Sequence, residues 1–162
     1  MRNSSVNWTI DAEHMAAAAD RYFMADDRCC SEAILRAGCE AIGIQSDLLP
    51  DIALGLGGGI GLQGHVCGAV SGAALVISLA MAKKVPDYAA RKMATYEAAG
   101  RLCKALANRW GSVQCRQMCD LDLTQIEGLQ KLVGGVKADK CAGFVKDTAR
   151  ALAEELRRIA TS

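Results

Sequence analysis

The sequence is poor in aromatic residues and has almost no proline. Aromatic side chains make up 4% of its 162 residues, and Pro50 and Pro86 are its only prolines. A core in a chain of this length must then be built from alanine, leucine, isoleucine, valine and methionine, which suits closely packed helices. Runs with the period-two alternation of strands are also lacking. The composition therefore predicts an all-α fold, and the length fits one domain.

Strong charge of either sign is missing as well. The formal net charge is +1, and no cluster of lysine and arginine exceeds two or three residues. Nucleic-acid and polybasic membrane surfaces need such clusters, so we expect neither partner. The N-terminus, MRNSSVNWTIDAEH, lacks the apolar segment of a secretory signal. We therefore expect a cytoplasmic protein with one helical domain over residues 1–162, of which residues 1–8 form a flexible extension.

Capping residues and helix breakers divide the chain into about six helices, which we expect to form a compact bundle. The predicted boundaries are Thr9 to Met24, Cys30 to Gly43, a short helix from Asp47, a long central helix over 66–84, Pro86 to Trp110, a turn after Ser112 carrying Cys115 and Cys119, Thr124 to Gly134, and a last helix from Asp139. Apolar spacing predicts two buried faces. They are Ala89, Met93, Tyr96, Gly100, Cys103, Ala107 and Trp110, and then Cys141, Val145, Thr148, Leu152, Leu156 and Ile159.

The stretch GLGGGIGLQGHVCGAV, residues 55–70, contains seven glycines. Residues 59–64 match G-x-G-x-x-G, but a dinucleotide site needs a strand before the motif and a βαβ unit around it, and neither is indicated. Residues 52–82 lack Asp, Glu, Lys and Arg over a length that could span a bilayer. The glycines, however, would leave backbone groups unsatisfied in lipid. We favour a loop whose amides reach a sulfur site and which leads into a central buried helix.

Eight cysteines are well above ordinary usage and, in a reducing compartment, indicate metal, cluster or redox chemistry. Four lie near predicted helix N-termini, where thiolates are stabilised: Cys30, Cys67, Cys115 and Cys141. We expect Cys39 and Cys103 to be buried as small hydrophobic residues. For Cys29 and Cys119 three interpretations stay open: a substitute ligand, a resolving thiol, or no role. His65 could assist the Cys67 thiolate or replace a ligand, although a loop histidine without such a role is the simpler interpretation.

These segments resemble the C_GCAxxG_C_C family of redox-active bacterial and archaeal proteins. The matching parts are CSEAIL at 30–35, GGGIG at 57–61, CGAVSG at 67–72, GSVQC at 111–115, and Cys141. The resemblance covers about Asp26 to Leu156 and implies redox chemistry without naming a reaction. Related sequence resembles a region of the split-Soret cytochromes, which carry an iron–sulfur centre, but their haem motif is absent here. Cys29, Cys39, Cys103 and Cys119 depart from the usual pattern.

The favoured hypothesis is an electron-transfer protein in which Cys30, Cys67, Cys115 and Cys141 bind an iron–sulfur cluster, [2Fe–2S] rather than [4Fe–4S]. Backbone amides at Gly58, Gly59, Gly61 and Gly68 are expected to hydrogen-bond the cluster.

Three alternatives stay open. The first is a thiol–disulfide protein with Cys67 as the attacking thiol and Cys30 or Cys115 as the resolving thiol. The second is a zinc-stabilised helical module without turnover. In the third, the cysteines only fill an alanine-rich core. An unnamed redox protein is the expected partner, and small-residue faces together with the family likeness suggest a homodimer.

Overall fold

A computed structural model describes residues 8–162, and the regular structure in this part of the chain is helical. It contains seven α-helices, five of them of seven residues or more. They are α1 (Ala12–Met24), α2 (Cys30–Ala41), α3 (Gly68–Lys84), α4 (Tyr88–Trp110), α5 (Cys115–Cys119), α6 (Ile126–Lys131) and α7 (Ala142–Thr161). A 3-10 helix (Asp51–Leu56) precedes the glycine-rich stretch, and a π-helical segment (Leu132–Cys141) precedes α7. The predicted all-α fold is confirmed.

Helix α3 lies at the centre of the bundle and packs against α2, α4 and α7. It carries no charged residue before Lys83 and Lys84 in its last turn, and a helix that is apolar on all sides is stable only when its neighbours cover it. Val76 and Ile77 are fully buried within it. Helix α1 packs on α2 and α7 at the other side of the core. In residues 8–162 no helix has both the length and the apolar character needed to cross a bilayer.

Helices α2 and α3 approach each other closely, because glycine lies at their contact. A Cβ added at Gly72 would lie 2.6 Å from the carbonyl oxygen of Ser31, and one at Gly38 would lie 2.6 Å from Cγ2 of Val76. Only glycine leaves room for these approaches. The first turn of α2, which contains Cys30, is thereby placed next to the first turn of α3.

Several predicted boundaries are wrong, because other residues provide the caps. Helix α1 begins later than Thr9, since the Asp11 side chain accepts a hydrogen bond from the His14 N–H at 2.9 Å. Asp47 does not begin a helix, and the first helical residue after it is Asp51 in the 3-10 helix. The expected extension over residues 1–8 lies outside the described residues except for Trp8, which packs against the core.

The caps after α4 also differ in part from the prediction. Helix α4 begins at Tyr88 rather than Pro86, because Asp87 caps it by accepting from the Ala90 N–H at 2.8 Å. It ends at Trp110 as predicted, with Gly111 in the left-handed region. Gln125 rather than Thr124 precedes α6. Asp139 begins no helix, because it lies inside the π-helical segment that leads directly into α7. The break expected at Gly134 is only a kink, where Gly135 has non-helical backbone angles.

The predicted buried face of α4 is wrong over the first half of the helix, while Cys103 and Trp110 in its second half do pack against the core. Met93 and Tyr96 are 57% and 62% exposed, while Ala98, Leu102 and Leu106 are buried. Leucine buries no polar group, whereas a tyrosine hydroxyl must find a partner or stay in water, so the leucine stripe faces α3 and α7. On α7 the prediction is confirmed for the buried Val145, Thr148, Leu152, Leu156 and Ile159.

Candidate functional site

A cavity of about 430 Å³ opens between the start of α2, the glycine-rich stretch, α5 and the π-helical segment. Six of the eight cysteines line it: Cys29, Cys30, Cys67, Cys115, Cys119 and Cys141. Its other walls are mainly apolar and include Phe23, Leu123 and Phe144. All eight cysteines are free thiols. The structure thus brings together the four cysteines predicted from helix position, and adds Cys29 and Cys119 to them.

Hydrogen bonds at the start of α2 hold Cys30 in place. The Glu32 carboxylate accepts from the Cys29 N–H at 3.0 Å and completes a capping box, and the Ser31 hydroxyl donates to the Ala53 carbonyl at 2.8 Å. Burial acts to raise the pKa of Glu32, but the Cys29 N–H and the Arg28 guanidinium outweigh it and hold that pKa low. A charged, buried Glu32 therefore fixes the first turn of α2.

Cys67 and Cys115 meet through a short pairing of two distant segments. The Cys67 N–H donates to the Val113 carbonyl at 2.8 Å, and the Cys115 N–H donates to the His65 carbonyl at 2.7 Å. Val66 forms a β-bridge with Gln114, the residue between Val113 and Cys115. Cys67 thus lies at the N-cap of α3 beside Cys115, the first residue of α5.

The glycine-rich loop, residues 57–64, is wound in the left-handed region. The φ angle is positive at five consecutive residues, from Gly58 to Leu62. Glycine adopts such angles without steric cost, but Ile60 and Leu62 do so against a penalty of about 1–2 kcal/mol each. The loop needs this winding because it must turn back within a few residues to bring its backbone against α2.

The four glycines predicted to contribute amides differ in their roles. The Gly58 N–H is directed at the Cys30 sulfur, and Gly61 lines the cavity. A Cβ added at Gly68 would lie 2.7 Å from the Cys30 sulfur, so Gly68 permits that sulfur to approach α3. A Cβ at Gly59 would lie 2.5 Å from the backbone nitrogen of His65, which indicates a role in closing the loop.

Cys30 and Cys67 form a hydrogen-bonded pair of thiols. The bond from Cys67 is the main cause that lowers the pKa of Cys30 to about 7; burial opposes it, and the backbone N–H groups of Gly58, Ser31 and Ala69 assist it. The same bond, together with burial, raises the pKa of Cys67. These opposite shifts make Cys30 the more acidic thiol of this pair, whereas the thiol–disulfide hypothesis drawn from the sequence had Cys67 as the attacking thiol.

The remaining ligand candidates form a second group of thiols. Cys119 follows Cys115 by one turn of α5 and is hydrogen-bonded to it. Cys141 lies where the π-helical segment meets α7. Burial, and next the negative charge that a neighbouring Cys119 thiolate would carry, raise the pKa of Cys141 to about 12. Burial likewise raises the pKa of Cys115.

The other thiols and the histidine fall outside these two groups. The Cys29 sulfur lies 3.1 Å from the Ser31 hydroxyl, and burial raises the pKa of Cys29 to about 11. Cys39 is buried in the core and Cys103 is partly buried against it, as expected. Residue His65 is exposed, and its backbone carbonyl takes part in the pairing with Cys115.

Several residues at the mouth of the cavity were not predicted from the sequence. Lys137 of the π-helical segment forms an ion pair with Asp27, and its ammonium group lies 4.8 Å from the centre of the Phe23 ring. Exposed Leu54 and Val133 lie at the rim. These residues come from three distant parts of the chain. One residue of the site had a signal in the sequence. Arg28 is a charged residue directly before the Cys29–Cys30 pair, and it also lines the cavity.

The chemistry of the donor set fits a cluster held by thiolates. Within the part of the chain that the structure describes, no three His, Cys, Asp or Glu side chains converge on one point as a single metal ion requires. Cys30 and Cys67 lie at the starts of α2 and α3, Cys115 and Cys119 lie on α5, and Cys141 directly precedes α7, while Cys67 also lies beside Cys115. A [2Fe–2S] cluster takes two thiolates on each iron. Amides beside the sulfurs and apolar walls are the surroundings such ligands need.

Fold and site define an all-helical protein built around a thiol-lined cavity. The family model of the C_GCAxxG_C_C proteins, described as "Putative redox-active protein", matches residues 28–155. The chain belongs to this family, and a general redox role follows from that membership. No curated protein and no solved structure gives a significant match.

Proposed function

We propose that this protein transfers electrons through a [2Fe–2S] cluster held by Cys30, Cys67, Cys115 and Cys141. The observation that supports this most is that six thiols line one largely apolar cavity. A single redox disulfide would use two of them. A bound cluster would supply one-electron oxidation and reduction, while the chain supplies ligands, hydrogen bonds and exclusion of water.

The residues around Cys30 favour its charged form and would tune such a centre. The N–H groups of Gly58 and Ala69 point at the Cys30 sulfur, and amide hydrogen bonds to a ligand sulfur stabilise the more negative, reduced state. Phe144 and Leu123 keep water from the opposite wall. The exposed rim at Leu54 and Val133 leaves one side of the cavity near the surface, where a redox partner could approach.

Iron and acid-labile sulfide analysis of anaerobically prepared protein tests this proposal. We expect about two irons and two sulfides per chain in the wild type, and loss of most of both in Cys30→Ser and Cys67→Ser. Cys103→Ser is the matched control, because Cys103 lies outside the cavity, and it should keep the wild-type content. A wild type that holds zinc, or no metal after reconstitution, would contradict the proposal.

A dithiol function is the second candidate, favoured by the direct contact between the Cys30 and Cys67 thiols. In this reaction the Cys30 thiolate attacks a disulfide co-substrate, and Cys67 then displaces the mixed disulfide. The two protein thiols lose two electrons and two protons, and the co-substrate is reduced to two thiols. Mild oxidation of metal-free protein should yield a Cys30–Cys67 disulfide by peptide mapping. A disulfide between other cysteines would argue against it.

Two further parts of the proposal concern location and assembly. Eight free thiols are consistent with a reducing cytoplasm. We propose a homodimer that uses the exposed apolar stripe of α4, which includes Met93 and Tyr96. Light scattering should give a dimer mass for the wild type and a monomer mass for Tyr96→Glu.

A further inference from the structure

The second thiol group contains more sulfurs than a two-iron cluster needs on that side. Cys30 and Cys67 would supply one pair of ligands. Cys115, Cys119 and Cys141 would share the other two positions, and all three line the same cavity. The sequence predicts Cys115 and Cys141 as ligands and leaves the role of Cys119 open.

Cys119 is placed as a ligand rather than as a core residue. It is 2% exposed, but it packs in the small cluster around Leu123, apart from the main core. Its spacing of four from Cys115 puts both sulfurs on one face of α5, and both side chains line the cavity. Its only other polar contact is a long one, 4.0 Å to the Leu121 carbonyl. The sulfur is therefore not committed to another partner.

Cys29 shows the contrast, although it lines the same cavity. Its sulfur is engaged with the Ser31 hydroxyl at 3.1 Å and lies 3.9 Å from the Leu54 carbonyl. A Cβ added at Gly57 would lie 3.3 Å from it, so loop backbone crowds that sulfur on one side. Cys29 is therefore a suitable control for a thiol that lines the cavity without binding the cluster.

We propose that Cys119 is a cluster ligand of this chain and shares the fourth position with Cys141, while Cys30, Cys67 and Cys115 hold the other three. This inference rests on the proposed function. It follows from three buried or half-buried thiols that line one cavity, two of them on the same face of α5. Loss of either Cys119 or Cys141 then leaves four thiols for the cluster, and loss of both leaves three.

The test compares Cys119→Ser, Cys141→Ser, the double variant and the control Cys29→Ser, all reconstituted anaerobically. Iron and sulfide content are measured, and far-ultraviolet circular dichroism checks the fold. We expect both single variants to keep most of the wild-type iron, with visible spectra that differ from each other. The double variant should lose iron about tenfold or more, and Cys29→Ser should match the wild type.

Alkylation of the unsubstituted protein gives a second measurement that needs no variant to fold. The cluster-loaded and metal-free forms are treated with iodoacetamide and mapped by mass spectrometry. We expect the cluster to slow labelling at both Cys119 and Cys141. Equal labelling of Cys119 in both forms would overturn the inference.

The possible outcomes distinguish a failure of this inference from a failure of the proposed function. A loaded wild type with an empty Cys141→Ser variant that is still folded would overturn the shared position and keep the proposed cluster. A double variant that keeps its iron would also overturn it. A wild type without iron and sulfide would overturn the proposed function, and this inference with it.

Discussion

The sulfur of Cys30 lies where the glycine-rich loop, α2 and α3 meet. It receives hydrogen bonds from the Cys67 thiol and from the N–H groups of Gly58 and Ala69. A Cβ at Gly68 would come within 2.7 Å of it. These neighbouring dipoles are the main groups that favour its thiolate.

Gly68→Ala should disturb the Cys30 sulfur more than it disturbs the fold. The added methyl group would also lie 3.0 Å from the Leu56 carbonyl oxygen, so the sulfur or the loop must move. We expect a loss of about 1–3 kcal/mol in the free energy of unfolding and reduced iron content after reconstitution. Gly143→Ala is the control, since no atom lies within 4 Å of its added Cβ. Equal iron content in both variants would show that the contact does not matter.

The reactivity of Cys30 should depend on pH with a midpoint near its pKa of about 7 in metal-free protein. The folded-state pKa is lowered, so this ionisation adds stability above the pKa of the unfolded chain, and that stability is lost as the pH falls through about 7. Iodoacetamide labelling followed by peptide mapping gives the midpoint. Cys67→Ala removes the main cause of the shift and should move the midpoint upward. An unchanged midpoint would mean that the amides alone stabilise the thiolate.

At the scale of elements, the loop of residues 57–64 sets the shape of the site. Its left-handed winding is held by hydrogen bonds such as that from the Gly64 N–H to the Gly58 carbonyl at 3.0 Å. Gly64 itself has φ +80°, and an added Cβ would meet the Arg116 side chain at 2.8 Å. The loop therefore closes on itself and rests against α5. Its backbone is thereby directed at the sulfurs.

Ile60→Gly should stabilise the protein, because a β-branched residue is strained at a φ of +61°. Its side chain is 52% exposed, so little packing is lost. We expect the free energy of unfolding to rise by about 1 kcal/mol in chemical denaturation. Ile52→Gly, 55% exposed in the 3-10 helix, should instead lower it. A loss of stability in both variants would refute the strain at Ile60.

At the scale of the whole molecule, local rules predicted the helices well. Helix α4 ends at Trp110 as expected, and the inner face of α7 followed its apolar spacing. The predicted buried face of α4 was wrong over its first half, because the sequence offers two apolar stripes and only packing against α3 and α7 selects between them. Where the local pattern allowed two buried faces, contacts with distant helices determined which face is buried.

The candidate site could be predicted only as a set of cysteines. Helix position and family likeness pointed to four of them, and the cavity contains all four. The approach of Cys67 to Cys115 depends on the backbone hydrogen bonds of Cys67 with Val113 and of Cys115 with His65, which join segments almost fifty residues apart. The lowered pKa of Cys30 likewise depends mainly on its interaction with Cys67, assisted by backbone amides such as that of Gly58. These contacts cannot be predicted from the spacing of residues along the chain.

Electron paramagnetic resonance of the anaerobically prepared, dithionite-reduced protein tests the central claim most directly. The oxidised protein should be brown and silent in this measurement, because two ferric ions couple to zero spin in a [2Fe–2S] cluster. Reduction by one electron should produce a spin-one-half signal that integrates to about one spin per chain. A colourless protein that stays silent after reconstitution and reduction would contradict the account, and would leave the Cys30–Cys67 dithiol as the function to pursue.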